Sequence, residues 1–246
     1  MMKAGDLMEI ELITVTGADD KTDIDWMVEL SDQYSKLEWG ILVSHTGTGL
    51  PRFPGHEWQR LLLNRWQTSQ LRLCTHICGR WVREICAGDW HSFMLQNGAL
   101  AALSERLQLN FHALTHRLED KFFEVAASNQ ETYDWSLIFQ QDGLNEELSV
   151  RARQAGLDVE LLFDKSGGTG QLPSGWPAQP PAVFCGYAGG LSADNLTEQL
   201  DLISQQATGS IWIDVETHVR TADGSSLDRS LVERFIETAS RYGKQA

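Results

Sequence analysis

The sequence predicts an α/β fold of the (β/α)8 TIM-barrel class, a single barrel domain over residues 1–246. Three observations predict it. Eight short apolar runs alternate with helix-period segments along the whole chain, the order that a closed parallel barrel requires. Between residues 161 and 220, the stretches LLFDKSGGTG, CGYAGGLSADNL and IWIDVETHVR each break into Gly, Ser or Thr and restart as polar, helix-like sequence. Loops of this kind after buried strands can present backbone N–H groups to an anion. Finally, 246 residues at 42% hydrophobic content are enough for one large core, and no Ser/Gly-rich linker divides the chain. A doubly wound open sheet accommodates eight strands less naturally.

The elements follow in order. EIELITV at 9–15 is the first strand, followed by a helix over 26–34. WGILVS at 39–44 is the second, and the helix over 57–66 spaces Trp58 and Trp66 to pack on a barrel. LRLCTHIC at 71–78 is the third strand. The stretch 79–90 after it reads as a long mixed loop, a lid or a cover, before a helix over 93–105. LQLNFH at 107–112 and WSLIFQ at 135–140 are the fourth and fifth strands, with helices over 118–128 and 145–155. VELLFD at 159–164 is the sixth, and the Gly/Pro-rich connection around 167–176 reads as loop. AVFCGY at 182–187 precedes a helix over 193–206, with Ser192 and Asp194 placed to cap it. SIWIDVE at 210–216 is the last strand and 227–242 the last helix.

Side chains alternate across a strand, so the same runs predict what faces the barrel interior. Leu71, Leu73, Thr75 and Ile77 share the face that meets the helices, which leaves Cys74, His76 and Cys78 pointing inward. Gln108, Asn110 and His112 share a face in the same way; Asp164 goes with Leu162, and Asp214 with Trp212. Polar groups inside a barrel are costly unless hydrogen-bonded, so this stripe is networked or functional. Function in such a fold sits where strands end and loops begin. The candidates are therefore Ser44, Cys78, His112, Gln140, Asp164, Gly189, Gly190 and residues 214–217.

A formal charge of −14 disfavours broad contact with nucleic-acid phosphates, although a small phosphorylated ligand can be held by N–H groups alone. No window reaches the roughly 20 apolar residues of a membrane span. The acidic residues Asp6, Glu9 and Glu11 argue against a secretory signal, so the expected location is cytoplasmic. Cys74, Cys78, Cys86 and Cys185 have neither disulfide nor zinc-ribbon spacing and are expected to be buried free thiols. His112 and His116 with His76 lack a carboxylate to complete a metal site, so neither metal nor cofactor is expected.

The last third of the chain resembles phosphoribosylanthranilate isomerase, the Amadori isomerase of tryptophan biosynthesis. The sixth-strand pattern of that family is matched by Leu162-Phe163-Asp164, Gly167-Gly168-Thr169-Gly170 and then Trp176. Its seventh-strand Gly-Gly-Leu-Asn-Pro-Glu-Asn is similar to Gly189-Gly190-Leu191-Ser192-Ala193-Asp194-Asn195. Its Asp-Val-Ser-Ser-Gly-Val-Glu is similar to Asp214-Val215-Glu216-Thr217-His218-Val219-Arg220. Leu107-Gln108-Leu109-Asn110 and Pro51-Arg52 resemble its Val-Gln-Leu-His and Pro-Arg. The match is specific over the last third and patchy before it.

The resemblance implies a ribulose-phosphate-binding type of barrel and an aldose–ketose isomerisation of a phosphorylated sugar derivative. A general acid protonates the ring oxygen, a base removes the C2 proton, and the enolamine becomes a ketone. It implies Asp164 as the acid. Gly168, Gly189, Gly190, Asp214 and Thr217 would lie around the phosphate, and Arg52 would face the anthranilate carboxylate. Asp164 also reads as a loop cap, the Gly189-Gly190 pair as a tight turn, and Asp214 as a structural hydrogen-bonder. The family's base is a first-strand cysteine. The ungapped match puts Ile13 there, and shifted registers put Thr14 or Thr16. His76 and Cys78 remain as inner residues able to replace that base, against a reading as satisfied core groups. Glu216 needs compensation from Arg220 or His218 beside a phosphate. The alternatives are a different reaction on a phosphosugar, or a non-catalytic phosphometabolite-binding protein. The expected partner is that small phosphorylated metabolite, with no nucleic acid and no membrane, on a monomer or homodimer.

Overall fold

Eight parallel strands hydrogen-bond in sequence order and the last pairs back onto the first, closing the barrel. The computed structural model describes residues 8–112, 114–166 and 169–243. The first half runs β1 (Glu9–Thr16), α1 (Ile24–Gln33), β2 (Leu37–Ser44), α2 (His56–Trp66), β3 (Leu73–Cys78), α3 (Arg80–Cys86), α4 (His91–Leu103) and β4 (Arg106–Asn110). The second runs α5 (Asp120–Tyr133), β5 (Ser136–Gln141), α6 (Glu146–Gln154), β6 (Val159–Phe163), β7 (Cys185–Tyr187), α7 (Leu196–Ile203), β8 (Ser210–Val215) and α8 (Arg229–Arg241). Among the described residues, no helix is long and apolar enough to cross a membrane.

The two-residue period of the strands builds two separate cores. Outward residues such as Ile13, Val15, Ile41, Val43, Ile77 and Leu109 pack under the helices. The last helix shows how a helix joins them. Asp228 caps it by accepting from the Leu231 N–H at 3.1 Å, and it buries Val232, Phe235, Ile236 and Ala239, one stripe at helical spacing. Inward residues Leu12, Cys74, Ile138, Leu162, Ala188 and Trp212 form the second, smaller cluster inside the barrel. The Trp212 indole fills the space over Gly186, where a Cβ would stand 2.1 Å from the ring, so β7 is held to glycine by close approach.

The N-terminal end of the interior is an ion network. Arg106 donates through Nε to Glu38 at 2.9 Å and through Nη1 to Glu160 at 2.6 Å, and its guanidinium lies 4.3 Å from the Trp212 ring centre. Thr14 donates to Glu38 at 2.8 Å and Ser136 to Glu160 at 2.6 Å. The Arg106 charge keeps Glu38 ionised against the pull of burial, and the carboxylates hold the guanidinium protonated more firmly than usual.

Several expectations need correction. The stretch 79–90 is not a lid loop. It contains α3, whose Trp81, Val82, Ile85 and Cys86 are buried at helical spacing, with Trp81 edge-on to Phe93. Helix α7 starts at Leu196, its N-cap is Asn195, and Asp194 pairs with Arg234 instead of capping; Ser192 Oγ does accept from the Asn195 N–H at 3.3 Å. The fourth strand stops at Asn110 because His112 turns left-handed, at φ 50°. The seventh begins at Cys185 because Ala182, at φ 58°, cannot continue a strand. The connection from β6 to β7 carries no helix among the described residues. It is anchored by buried Trp176, whose Nε1 donates to Gln199 at 3.0 Å.

Candidate functional site

The C-terminal ends of the strands surround a cavity of about 270 Å3, and its walls differ in chemistry from side to side. Asp164 after β6 and Asp214 on β8 face it, with Glu216 and Thr217 from the loop after β8. The lining also includes His76 on β3 and Gln108 and Asn110 on β4, with Gln140 on β5 beside Asp164. The rim includes Arg52, His112, Gly189 and Gly190. Arg52 at φ 77° and His112 at φ 50° are left-handed non-glycine residues, a strain that clusters at functional sites.

Asp214 is the electrostatic centre of the site. It is buried, and its Oδ1 accepts from Thr16 Oγ1 at 2.8 Å. Burial raises its carboxyl pKa well above the ordinary carboxylate range. The Thr16 hydrogen bond opposes that rise, while Glu216 and Asp164 add to it. A carboxyl that keeps its proton where an ordinary one has lost it is able to donate it. Asp164 is held differently. Its Oδ1 accepts from the Ser166 N–H at 2.9 Å and from Ser166 Oγ at 2.6 Å, and its Oδ2 accepts from Gln140 Nε2 at 3.1 Å. It caps its loop and also lines the cavity.

The three first-strand candidates face different ways. Ile13 packs outward into the helix-facing core, whereas Thr16, at the strand end, turns its hydroxyl to Asp214. The inward residue at the mouth of β1 is therefore Thr16.

Of the two residues considered as replacement bases, only His76 reaches the cavity. Burial pushes its imidazole down to about 3, so it is neutral at physiological pH and a poor proton acceptor. Cys78 is buried outside the cavity lining, accepts a hydrogen bond from Asn110 Nδ2 at 3.3 Å, and has its thiol pushed up to about 12 by burial. A thiol in that state is not a nucleophile or base.

Arg52 lines the cavity, but its Nη1 donates to Glu216 at 2.6 Å and its N–H to Asp19 Oδ2 at 2.8 Å. It is Arg52 that compensates Glu216. Arg220 instead turns inward to the Gly17 carbonyl at 2.6 Å and Asp19 at 2.8 Å, and His218 Nε2 meets the Gly170 carbonyl at 2.8 Å. Gly189 and Gly190, at φ 91° and 77°, are covered by the loop from β6. A Cβ on Gly190 would stand 2.4 Å from the Leu172 backbone N, and one on Gly189 3.0 Å from Asp164 Oδ1. This pair is glycine both for its left-handed backbone and for that close approach. Thr217 lies beside Gly170, where an added Cβ would be 3.0 Å from the Thr217 Cβ. Gly168 lies outside the described residues.

Fold and site together define a (β/α)8 barrel with a polar, carboxylate-bearing cavity at its C-terminal mouth. Solved structures of phosphoribosylanthranilate isomerases share this fold. Monomers of the dimeric enzyme from Thermotoga maritima superpose with a TM-score of 0.58 at 15% identity, covering 93% of this chain and 98% of that one. The enzyme from Thermus thermophilus gives 0.55 at 14% identity, with the same coverage. The YdjI aldolase from Escherichia coli K12 also gives 0.55, at 10% identity over 94% of this chain and 91% of that one. No family model and no curated protein matches the sequence. At these identities the likeness shows the fold alone.

Proposed function

We propose that this chain is an isomerase-like barrel that binds a small sugar derivative at its C-terminal mouth and moves protons on it. The reaction class is Amadori-type aldose–ketose isomerisation, with phosphoribosylanthranilate as the first substrate to try. The observation that carries this reading is Asp214, a buried carboxyl whose pKa burial raises well above the ordinary range, in the same cavity as Asp164. Asp214 protonates the ring oxygen as the C1–O bond breaks, and Asp164, an acceptor from three donors, takes the C2 proton. The enolamine then tautomerises to the ketone, with no oxidant or reductant consumed. This gives Asp214 the acid role and leaves Asp164 as base. The resemblance in the last third of the sequence supports a phosphorylated ligand near Gly168, Gly189, Gly190 and Thr217, and with it a cytoplasmic place in tryptophan biosynthesis.

One observation favours a second reading, a barrel acting on a different ligand or binding without turnover. Arg52 is already engaged by Glu216, and the Leu172 backbone lies over Gly190 where a phosphate would approach. Turnover of freshly made phosphoribosylanthranilate, followed by loss of anthranilate fluorescence, decides between them. The first reading expects turnover by the wild type that Asp214→Asn and Asp164→Asn each lower by about 10²–10⁴. Folded wild-type protein without turnover supports the second.

A further inference from the structure

We propose that His76 and Gln108 form a hydroxyl-recognition subsite on the cavity floor, which takes a sugar or polyol hydroxyl of the ligand. The inference rests on the reading of the ligand as a sugar derivative and names the residues that hold its sugar portion. Six buried side-chain polar atoms have no hydrogen-bond partner among the described residues, and two of them, His76 Nε2 and Gln108 Oε1, belong to cavity-lining residues. They sit on adjacent strands in direct register, His76 opposite Gln108. A buried polar group left unpaired is costly, so two of them on adjoining residues that line one cavity point to a partner arriving with a ligand.

The remaining bonds fix both side chains. Gln108 Nε2 lies 3.3 Å from His76 Nδ1 and donates to Asn110 Oδ1 at 2.6 Å, while Asn110 Nδ2 donates to Cys78 at 3.3 Å. This chain along β3 and β4 sets the imidazole tautomer. With Nδ1 accepting from the amide, the ring proton sits on Nε2, leaving one free donor on His76 and one free acceptor on Gln108. Rotating the amides by half a turn exchanges both roles at once: His76 Nε2 becomes the acceptor and Gln108 the donor. In either arrangement one donor and one acceptor are unspent, and a hydroxyl supplies the complement of both. A carboxylate or a doubly ionised phosphate ester, which only accepts, and an ammonium, which only donates, each satisfy half of the pair. Burial keeps the imidazole neutral, which suits it to a hydroxyl rather than an anion. Gly40 makes the room: a Cβ there would stand 2.9 Å from His76 Nε2 and 2.2 Å from Thr16 Oγ1.

The test uses the full chain with 15N-labelled histidine, the His76 ring assigned from its contact with Gly40. The protein is titrated separately with ribitol, ribose 5-phosphate and inorganic phosphate. Ribitol and ribose 5-phosphate are expected to shift His76 Nε2 and inorganic phosphate to leave it in place. His76→Asn is expected to weaken ribose 5-phosphate at least tenfold while its inorganic phosphate affinity stays within twofold of wild type. Absence of a shift with both polyols overturns the subsite, and so does unchanged ribose 5-phosphate affinity in folded His76→Asn. Should that variant not fold, the wild-type titration decides alone. A ribitol shift without any phosphate binding keeps the subsite and removes the phosphosugar reading; phosphate binding with no polyol shift does the reverse.

Discussion

The two ends of the barrel interior handle charge in opposite ways. At the N-terminal end one guanidinium serves two carboxylates, and each carboxylate has a further hydroxyl donor. At the C-terminal end Asp164, Asp214 and Glu216 face one cavity with Arg52 paired to Glu216 alone. Both ends are built from inward positions of the same strands: Arg106 and Gln108 are neighbours on one face of β4, and Glu160 and Asp164 lie on one face of the sixth strand and its end. The contrast teaches that polarity inside a barrel is not itself a sign of function. The N-terminal network is complete within the chain, whereas the carboxylates at the mouth are only partly matched by counter-charge.

The largest expected effect comes from breaking the completed end. Arg106→Met leaves Glu38 and Glu160 buried without a counter-charge, and equilibrium urea unfolding should show a loss of about 3–5 kcal/mol. Replacing all three by apolar residues should recover most of that loss, because the desolvation cost goes with the charges. A triple variant as unstable as the single one would mean that the network does more than balance its own charges.

Asp214→Asn should act in the opposite sense. It removes the proton donor, a loss of about 10²–10⁴ in turnover if the proposed chemistry holds, yet it should not destabilise the barrel at neutral pH. The sign follows from the raised carboxyl pKa. The stability that Asp214 contributes is fully present below its unfolded value and is lost as pH rises through its folded one. The variant lacks that dependence, so its stability relative to wild type should climb from pH 4 towards neutrality. Thermal melts across that range check it, and a constant difference would place Asp214 with the completed networks.

The smallest effect belongs to the rim. Glu216→Gln weakens a partly exposed pair and should change stability by about 0–1 kcal/mol. It also frees Arg52, so inorganic phosphate or benzoate should bind more tightly by calorimetry. Unchanged anion binding would show that Arg52 does not face the ligand.

The barrel was legible because its period-two runs and glycine-ended strands are local features of the chain. So was the inward stripe: alternation alone put His76, Gln108 and Asn110 inside, and all three line the cavity. What escaped was pairing across the barrel. Nothing near Glu38 or Arg106 in sequence shows that they meet across 68 positions, although Arg106 shares a face with Gln108 by the same alternation. Asp214 reads as a structural hydrogen-bonder, which its bond from Thr16 bears out, but the burial and the neighbouring carboxylates that raise its pKa are not local features of the sequence. Helix α3 was hidden because Gly79 and Gly88 flank so short an apolar stripe. The engagement of Arg52 by Glu216, separated by 164 residues, likewise depends on the closed ring and not on either local motif.

The most direct test of this division is the ionisation of Asp214, followed by its carboxyl 13C shift in the full chain as pH is raised from 3 to 8. A carboxyl still protonated at pH values where the exposed aspartates have ionised is the predicted result, and its proton should be absent from the spectrum of Asp214→Asn. An Asp214 that ionises together with the surface aspartates would contradict the account, leaving the mouth of the barrel without its acid.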